Sequence, residues 1–251
     1  MKKFKGFVAI GIMFGILILG LIAFAAYKVI DGNNNATDFN NYDFYAIIEP
    51  TKDNGNIGDH VKGDKDAPVL IFEYADYQCQ GCASYNPRIN RFVEEMDGQV
   101  AVIYRSFLLP YHQNATAAAS AAEAAGLQGY WKEYTDELFT NQMEWYSASA
   151  SKRSELFEKY FEVATEGRGD MEKFKEDINS EAVSKKIKFD QGIAKRMNVQ
   201  GTPAFYIDGQ WINFSEAGSV TVDGKTVTWD EGRVGDEFVK LLKEIVKAKS
   251  Q

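Results

Sequence analysis

Residues 69–82 read VLIFEYADYQCQGC. The first seven, 69 to 75, are apolar except for Glu73 and lie between turn-forming residues, the pattern of a strand covered on both faces. Directly after them come Cys79 and Cys82, the only two cysteines in 251 residues. From Cys82 the chain is helix-compatible to about Met96, Gly98 stops it, and QVAVIYRSFLL reads as the next strand. The cysteine pair therefore sits where the first strand of a βαβ unit turns into its helix.

The compartment decides how two thiols are to be read. Residues 7 to 27 form an uncharged apolar run of 21 residues, roughly 31 Å as a helix and close to one hydrocarbon core. Lys2, Lys3 and Lys5 precede it, and acidic, Asn-rich sequence follows Lys28. The positive-inside rule then puts residues 1–6 in the cytoplasm and everything after residue 27 outside. Ala23-Phe24-Ala25 also resembles a signal-peptide cleavage site, but the run exceeds the usual length of a signal core, so a retained membrane anchor is the expectation. Either reading exports the domain. Bases total 28 against 36 acids; without the four lysines of the first 28 residues the balance is 24 against 36, a net of −12. That excludes a nucleic-acid partner held by phosphate contacts.

With 45% apolar and 14% aromatic residues, the chain can build a core without staples. A disulfide closing so short a loop removes little chain entropy, which argues against a purely structural bridge. Zinc normally takes four ligands, and only His60 and His112 accompany the cysteines, so no metal is expected. Idle thiols fit poorly in an oxidising compartment. A dithiol that cycles is the reading left. Cys79, at a helix N-terminus, faces unpaired amides and the positive end of the helix dipole, which favours its thiolate. Cys82, one turn on, is placed to resolve a mixed disulfide on Cys79. Glu73 either lies at an exposed strand edge or is a buried carboxylate, and burial is costly unless it serves a task such as proton transfer with Cys82.

Along the rest of the chain, residues 28–66 read as a flexible tether and N-terminal arm, with FYAII at 44–48 as a short strand or an apolar arm. A first α/β part is expected over 67–112, a helical block over 113–199, and a second α/β part over 200–251. In the last part TPAFYIDGQWI reads as strand, SVTVDGKTVTW as a hairpin turning at Asp223-Gly224, and about Gly235 to Lys249 as an amphipathic helix. Thr202-Pro203 opens that part, where a cis proline in a tight turn is plausible. His112 is read as a capping or packing residue rather than a catalytic base, and most of Tyr130, Trp131, Tyr134, Phe139, Trp145 and Tyr146 as core.

Taken in order, the strand bearing Glu73, the Cys79-Gln80-Gly81-Cys82 motif, a helical insertion, Gly201-Thr202-Pro203 and a final helix resemble the DsbA-like thiol:disulfide oxidoreductases. The resemblance spans about residues 60 to 249 and includes PYHQNATAAASAAEAA and GYWKEYTDELF. It implies a thioredoxin-like α/β fold with an inserted all-helical domain, preceded here by one N-terminal transmembrane helix. It further implies Cys79 as nucleophile, Cys82 as its buried partner, Glu73 as the acid beneath the site, and Thr202-Pro203 as the loop offering backbone hydrogen bonds to an extended substrate. Gln80 and Gly81 depart from the proline and histidine or aromatic residue of strongly oxidising relatives, so a milder oxidant is expected. No cofactor is implied. The implied partners are reduced or unfolded exported proteins, with a quinone-linked membrane thiol oxidase as reoxidant. A reductase, for instance in cytochrome maturation, uses the same residues in reverse, and a chaperone-like binding module would work without either cysteine.

Overall fold

The structure is a computed structural model describing residues 18, 20–22 and 37–249. The chain divides into two compact units, Met1–Asp38 and Phe39–Gln251. In the first unit residues 18 and 20–22 are helical. The membrane anchor expected over 7–27 otherwise lies outside the described residues, among which no helix is long and apolar enough to cross a membrane.

The second unit is built on a five-stranded sheet of order β1-β3-β2-β4-β5, made by β1 (His60–Gly63), β2 (Val69–Ala75), β3 (Val100–Ser106), β4 (Ala204–Ile207) and β5 (Gln210–Trp211). β2 and β3 are parallel, with Glu73 opposite Tyr104, because helix α1 (Gln80–Glu95) carries the chain across between them. β4 returns antiparallel on the other side of β2, with Phe205 opposite Glu73. The continuous apolar runs of β2 and β3 follow from this central placement, since both strands are covered on both faces.

One face packs against α1, through Cys82, Tyr85, Ile89 and Phe92 at helical spacing, and against the final helix α8 (Asp236–Lys249), through Phe238, Leu241, Leu242, Ile245 and Val246. Each fully buried aliphatic or aromatic side chain there contributes on the order of 1.5–3 kcal/mol of transfer free energy. A separate hairpin, β6 (Gly218–Val222) and β7 (Lys225–Trp229), packs on α8. It turns at Asp223 and Gly224, both at positive φ (47° and 78°), as a tight two-residue hairpin turn requires.

Between β3 and β4 lie α2 (Ala115–Gly126), α3 (Trp131–Thr140), the one-turn α4 (Gln142–Trp145), α5 (Ala150–Thr165), α6 (Met171–Ile178) and α7 (Glu181–Arg196). Trp131, Tyr134, Phe139 and Trp145 are buried in this helical block, whose centre includes Phe161 stacked on Phe174 at 4.1 Å. α7 also reaches the second face of the sheet, where Phe189 and Ile193 meet Phe72 and Ile103.

The structure revises two expectations and decides between the alternatives of a third. Within 28–66, read as tether and arm, His60–Gly63 instead forms β1, antiparallel to the edge of β3, with Lys62 opposite Val102. Ile48, Ile57 and Asp59 are buried as well. The strand forms because β3 would otherwise present an unpaired edge, and because the buried Arg105 of β3 draws Asp59 inward at 2.7 Å. Residues 44–48 are the arm rather than a strand: the carbonyls of Phe44 and Ala46 accept hydrogen bonds from Arg105. Finally, α1 begins at Gln80, ahead of Cys82, with Cys79 as its N-cap.

Candidate active site

The end of β2 and the start of α1 place Cys79 at the N-cap of α1, with extended backbone angles (φ −75°, ψ 121°). Cys79 is half-buried, Cys82 fully buried, and both are free thiols. Thr202 and Pro203 arrive from the chain preceding β4, joined by a cis peptide bond, and the Cys79 thiol donates to the Thr202 carbonyl at 3.4 Å. Gly81 explains how closely these segments approach. A Cβ at that position would lie 3.2 Å from Pro203 Cδ and 3.5 Å from Cys79 Sγ, so any larger residue would press on the proline loop. Gln80 points outward, its amide 3.8 Å from the sulfur of Met143 on α4.

The two sulfurs differ sharply in their surroundings. Hydrogen bonding from the Cys82 thiol, with further help from the Thr202 hydroxyl and the backbone amides of Cys82 and Gly81, outweighs partial burial and brings Cys79 down to about 5. In the dithiol state the buried Thr202 hydroxyl has no acceptor, and an ionised Cys79 would be one. Burial pushes Cys82 well above the ordinary thiol range, and its bond to Cys79 and the charge on that neighbour add to the effect. The site thus favours a thiolate at Cys79 and a protonated thiol at Cys82.

Glu73 is only 3% exposed, and the exposed-edge reading falls away. It shares the α1-facing side of the sheet with Tyr104, and it raises the affinity of Cys82 for its proton. Burial raises the Glu73 carboxyl, while Lys62 pulls it back. Lys62, itself 3% exposed, is the residue the sequence reading missed. Burial lowers its ammonium, Glu73 and Asp136 oppose that, and its Nζ donates to Asn86 Oδ1 on α1 at 2.5 Å. One Glu73 oxygen is buried without a partner, leaving unfilled hydrogen-bonding capacity beside Cys82.

The turn between β2 and α1 is held by Asp76, whose carboxylate accepts from the amides of Gln78 and Leu109, both at 2.8 Å. The ring bond of His112 goes to this carboxylate at 2.8 Å, in keeping with a packing residue. Among the described residues no group of three or more His, Cys, Asp or Glu side chains is arranged to hold a metal ion. Beside the proline loop opens a cleft of about 630 Å³ whose walls include Tyr85, Pro203, Tyr206, Trp211 and Phe214.

Over residues 55–223 the sequence matches the family described as thioredoxin. The chain belongs to the thioredoxin family. Within it, this thioredoxin-family chain has the DsbA-like architecture, the sheet interrupted by a helical insertion. BdbD from Bacillus subtilis in its oxidised form aligns over 82% of this chain and 98% of its own, at 18% identity and a TM-score of 0.53. A cysteine-substituted alpha-DsbA1 from Wolbachia pipientis aligns over 76% and 92%, at 21% identity and 0.54. A thioredoxin-like oxidoreductase from Silicibacter pomeroyi DSS-3 aligns over 76% and 93%, at 20% identity and 0.52. At these identities the likeness establishes the fold. Among curated proteins, the Na(+)/H(+) antiporter NhaA 1 of Mycolicibacterium gilvum is 32% identical over 157 residues, 61% of this chain and 24% of that protein. The chain spans about a quarter of the length of the curated relatives it matches, and the antiporter name belongs to those longer proteins.

Proposed function

We propose that this DsbA-like thiol:disulfide oxidoreductase introduces disulfides into exported proteins. The observation that carries the reading is the asymmetry of the pair: a stabilised Cys79 thiolate is a good leaving group and lowers the free energy of the reduced state, so the oxidised pair tends to give its disulfide away. A substrate thiolate attacks Cys79 Sγ of the oxidised pair. The Cys79–Cys82 bond breaks, Cys82 leaves with the electron pair and takes a proton, and a mixed disulfide joins substrate to Cys79. A second substrate thiolate then attacks the substrate sulfur of that bond and releases Cys79 as thiolate. The substrate has lost two electrons and the enzyme pair has gained them.

Glu73 is suited to exchange the proton of Cys82, being buried close enough to affect it and kept responsive by Lys62. The Thr202 carbonyl beside Cys79 and the apolar cleft past Pro203 suit an extended, apolar chain segment, added as a strand at the proline loop. The apolar run at 7–27 supports a retained anchor, with the catalytic unit outside the cell membrane and its N-terminus in the cytoplasm. A quinone-linked membrane thiol oxidase would then reoxidise the pair, and the anchor would keep the two close.

The test is direct. The oxidised protein should add disulfides to a reduced, unfolded protein, and Cys79→Ser should abolish that addition. Undiminished activity in the variant would remove Cys79 as nucleophile, and failure of the wild-type protein to oxidise substrate would reverse the direction.

A further inference from the structure

The helical insertion touches the catalytic turn through two glutamines. Gln142, the first residue of α4 and 4% exposed, directs its Nε2 at two carbonyls of the turn: Tyr77 O at 2.7 Å and Cys79 O at 3.0 Å. Between those carbonyls, Gln78 projects the other way. Its Nε2 donates to Tyr146 O at 2.7 Å, just past α4, and its Oε1 accepts from the Asn114 amide at 2.7 Å, just before α2. Four hydrogen bonds from two side-chain amides thus bind residues 77–79 to segments 36 to 68 positions away.

The Cys79 carbonyl is not an ordinary acceptor. It belongs to the peptide between Cys79 and Gln80, and it takes the first bond of α1, from the Ala83 amide at 3.1 Å. The tilt of that peptide is the ψ of Cys79, 121°, which sets how the leading amides of α1 face the sulfur. A donor fixed on this carbonyl therefore fixes the angle between the Cys79 sulfur and the Gly81 and Cys82 N–H groups. The Tyr77 carbonyl, held by the same NH₂, anchors the other end of the turn.

We infer that Gln142 is a positioning residue for the nucleophile, by which the helical insertion holds the Cys79 peptide at the angle that turns the α1 amides toward the sulfur. The inference rests on the reading of Cys79 as nucleophile. It gives the insertion a part in the chemistry, because α4 carries Gln142 inward and the exposed Met143 outward beside Gln80. A partner that moves α4 would then change the reactivity of Cys79 without touching it.

The test compares Gln142→Met, of similar length but without a donor, and Gln142→Leu, apolar and shorter, with Asn141→Ala. Among the described residues the Asn141 side chain bonds only to the Glu137 carbonyl and carboxylate, and does not reach the catalytic turn. In the full chain, ionisation of Cys79 is followed by the pH dependence of its alkylation, and the potential of the pair by equilibration with glutathione. Both Gln142 variants should weaken the thiolate equilibrium about tenfold, an upward shift of about one pH unit. The same tenfold change makes the pair about 30 mV more reducing. Asn141→Ala should shift neither. If either folded Gln142 variant keeps the wild-type midpoint and potential, or if Asn141→Ala moves them equally, the inference is overturned. Should Cys79 of the wild-type protein already ionise as an ordinary thiol, the reading beneath the inference fails, which is a separate outcome.

Discussion

Lys62→Met probes the buried acid and base beneath Cys82. Three effects set its size. Asn86 Oδ1 loses its 2.5 Å donor, which costs about 1–3 kcal/mol if the oxygen stays unpaired. Desolvation of a buried ammonium is relieved, which offsets part of that cost. Glu73 loses the charge that lowers its carboxyl. Stranding a buried charge typically costs about 3–5 kcal/mol, but Glu73 can take up a proton, so the deficit should stay near 1–3 kcal/mol at acidic pH. The sign with pH follows from the raised carboxyl. A folded-state value above the ordinary 4.5 means that the folded protein binds more protons between the two values, so stability is complete below 4.5 and is lost as pH rises through the folded value. Lys62→Met pushes that folded value higher and widens the window. Denaturant unfolding near pH 5 and near pH 8 should therefore show the variant falling further behind wild type at the higher pH. Adding Glu73→Gln should remove the part of that trend belonging to Glu73. An equal deficit at both pH values, unaltered in the double variant, would refute coupling between Lys62 and Glu73.

Other consequences are independent of this pair. Thr202→Val should raise the Cys79 midpoint by about half to one pH unit through loss of one donor. It should leave the melting temperature of the dithiol form unchanged or higher, because the Thr202 hydroxyl is unpartnered there. Asp59→Asn should destabilise by about 3–5 kcal/mol in denaturant titrations while leaving the Cys79 midpoint in place, because it uncovers Arg105 and Lys186, both almost fully buried. The reduced form should gain stability over the oxidised form as pH rises from about 5 toward 9, and lose that gain as pH falls through about 5, since only the reduced Cys79 can ionise. Paired melting curves of the two redox forms measure this.

Much of the arrangement was legible because it is local. A continuous apolar strand, a helix start and a cysteine at that start lie within fourteen consecutive residues, 69–82. Asp223-Gly224 names its own turn type, and the heptad-like face of α8 declares its burial. What stayed hidden depends on distant register. HVKG, residues 60–63, has little intrinsic strand character and becomes a strand by pairing with β3. Lys62 looks like a solvent lysine until that register turns it toward Glu73 and Asn86. Gln142 reads as one polar residue among many in a helical block, since its partners lie 63 and 65 positions earlier. The buried set of Asp59, Arg105, Lys186 and Asp190 is spread over three segments that only the fold assembles. There Asp190 is pushed up to about 6 by burial despite Lys186, whereas Arg105 and Lys186 together hold Asp59 below its ordinary range against burial.

The most direct test of the account is the ionisation of Cys79 in the reduced protein, read as the pH dependence of its alkylation rate with Cys82 shielded by burial. The account predicts a single midpoint at about 5. A midpoint near the ordinary thiol value of 9 would contradict it.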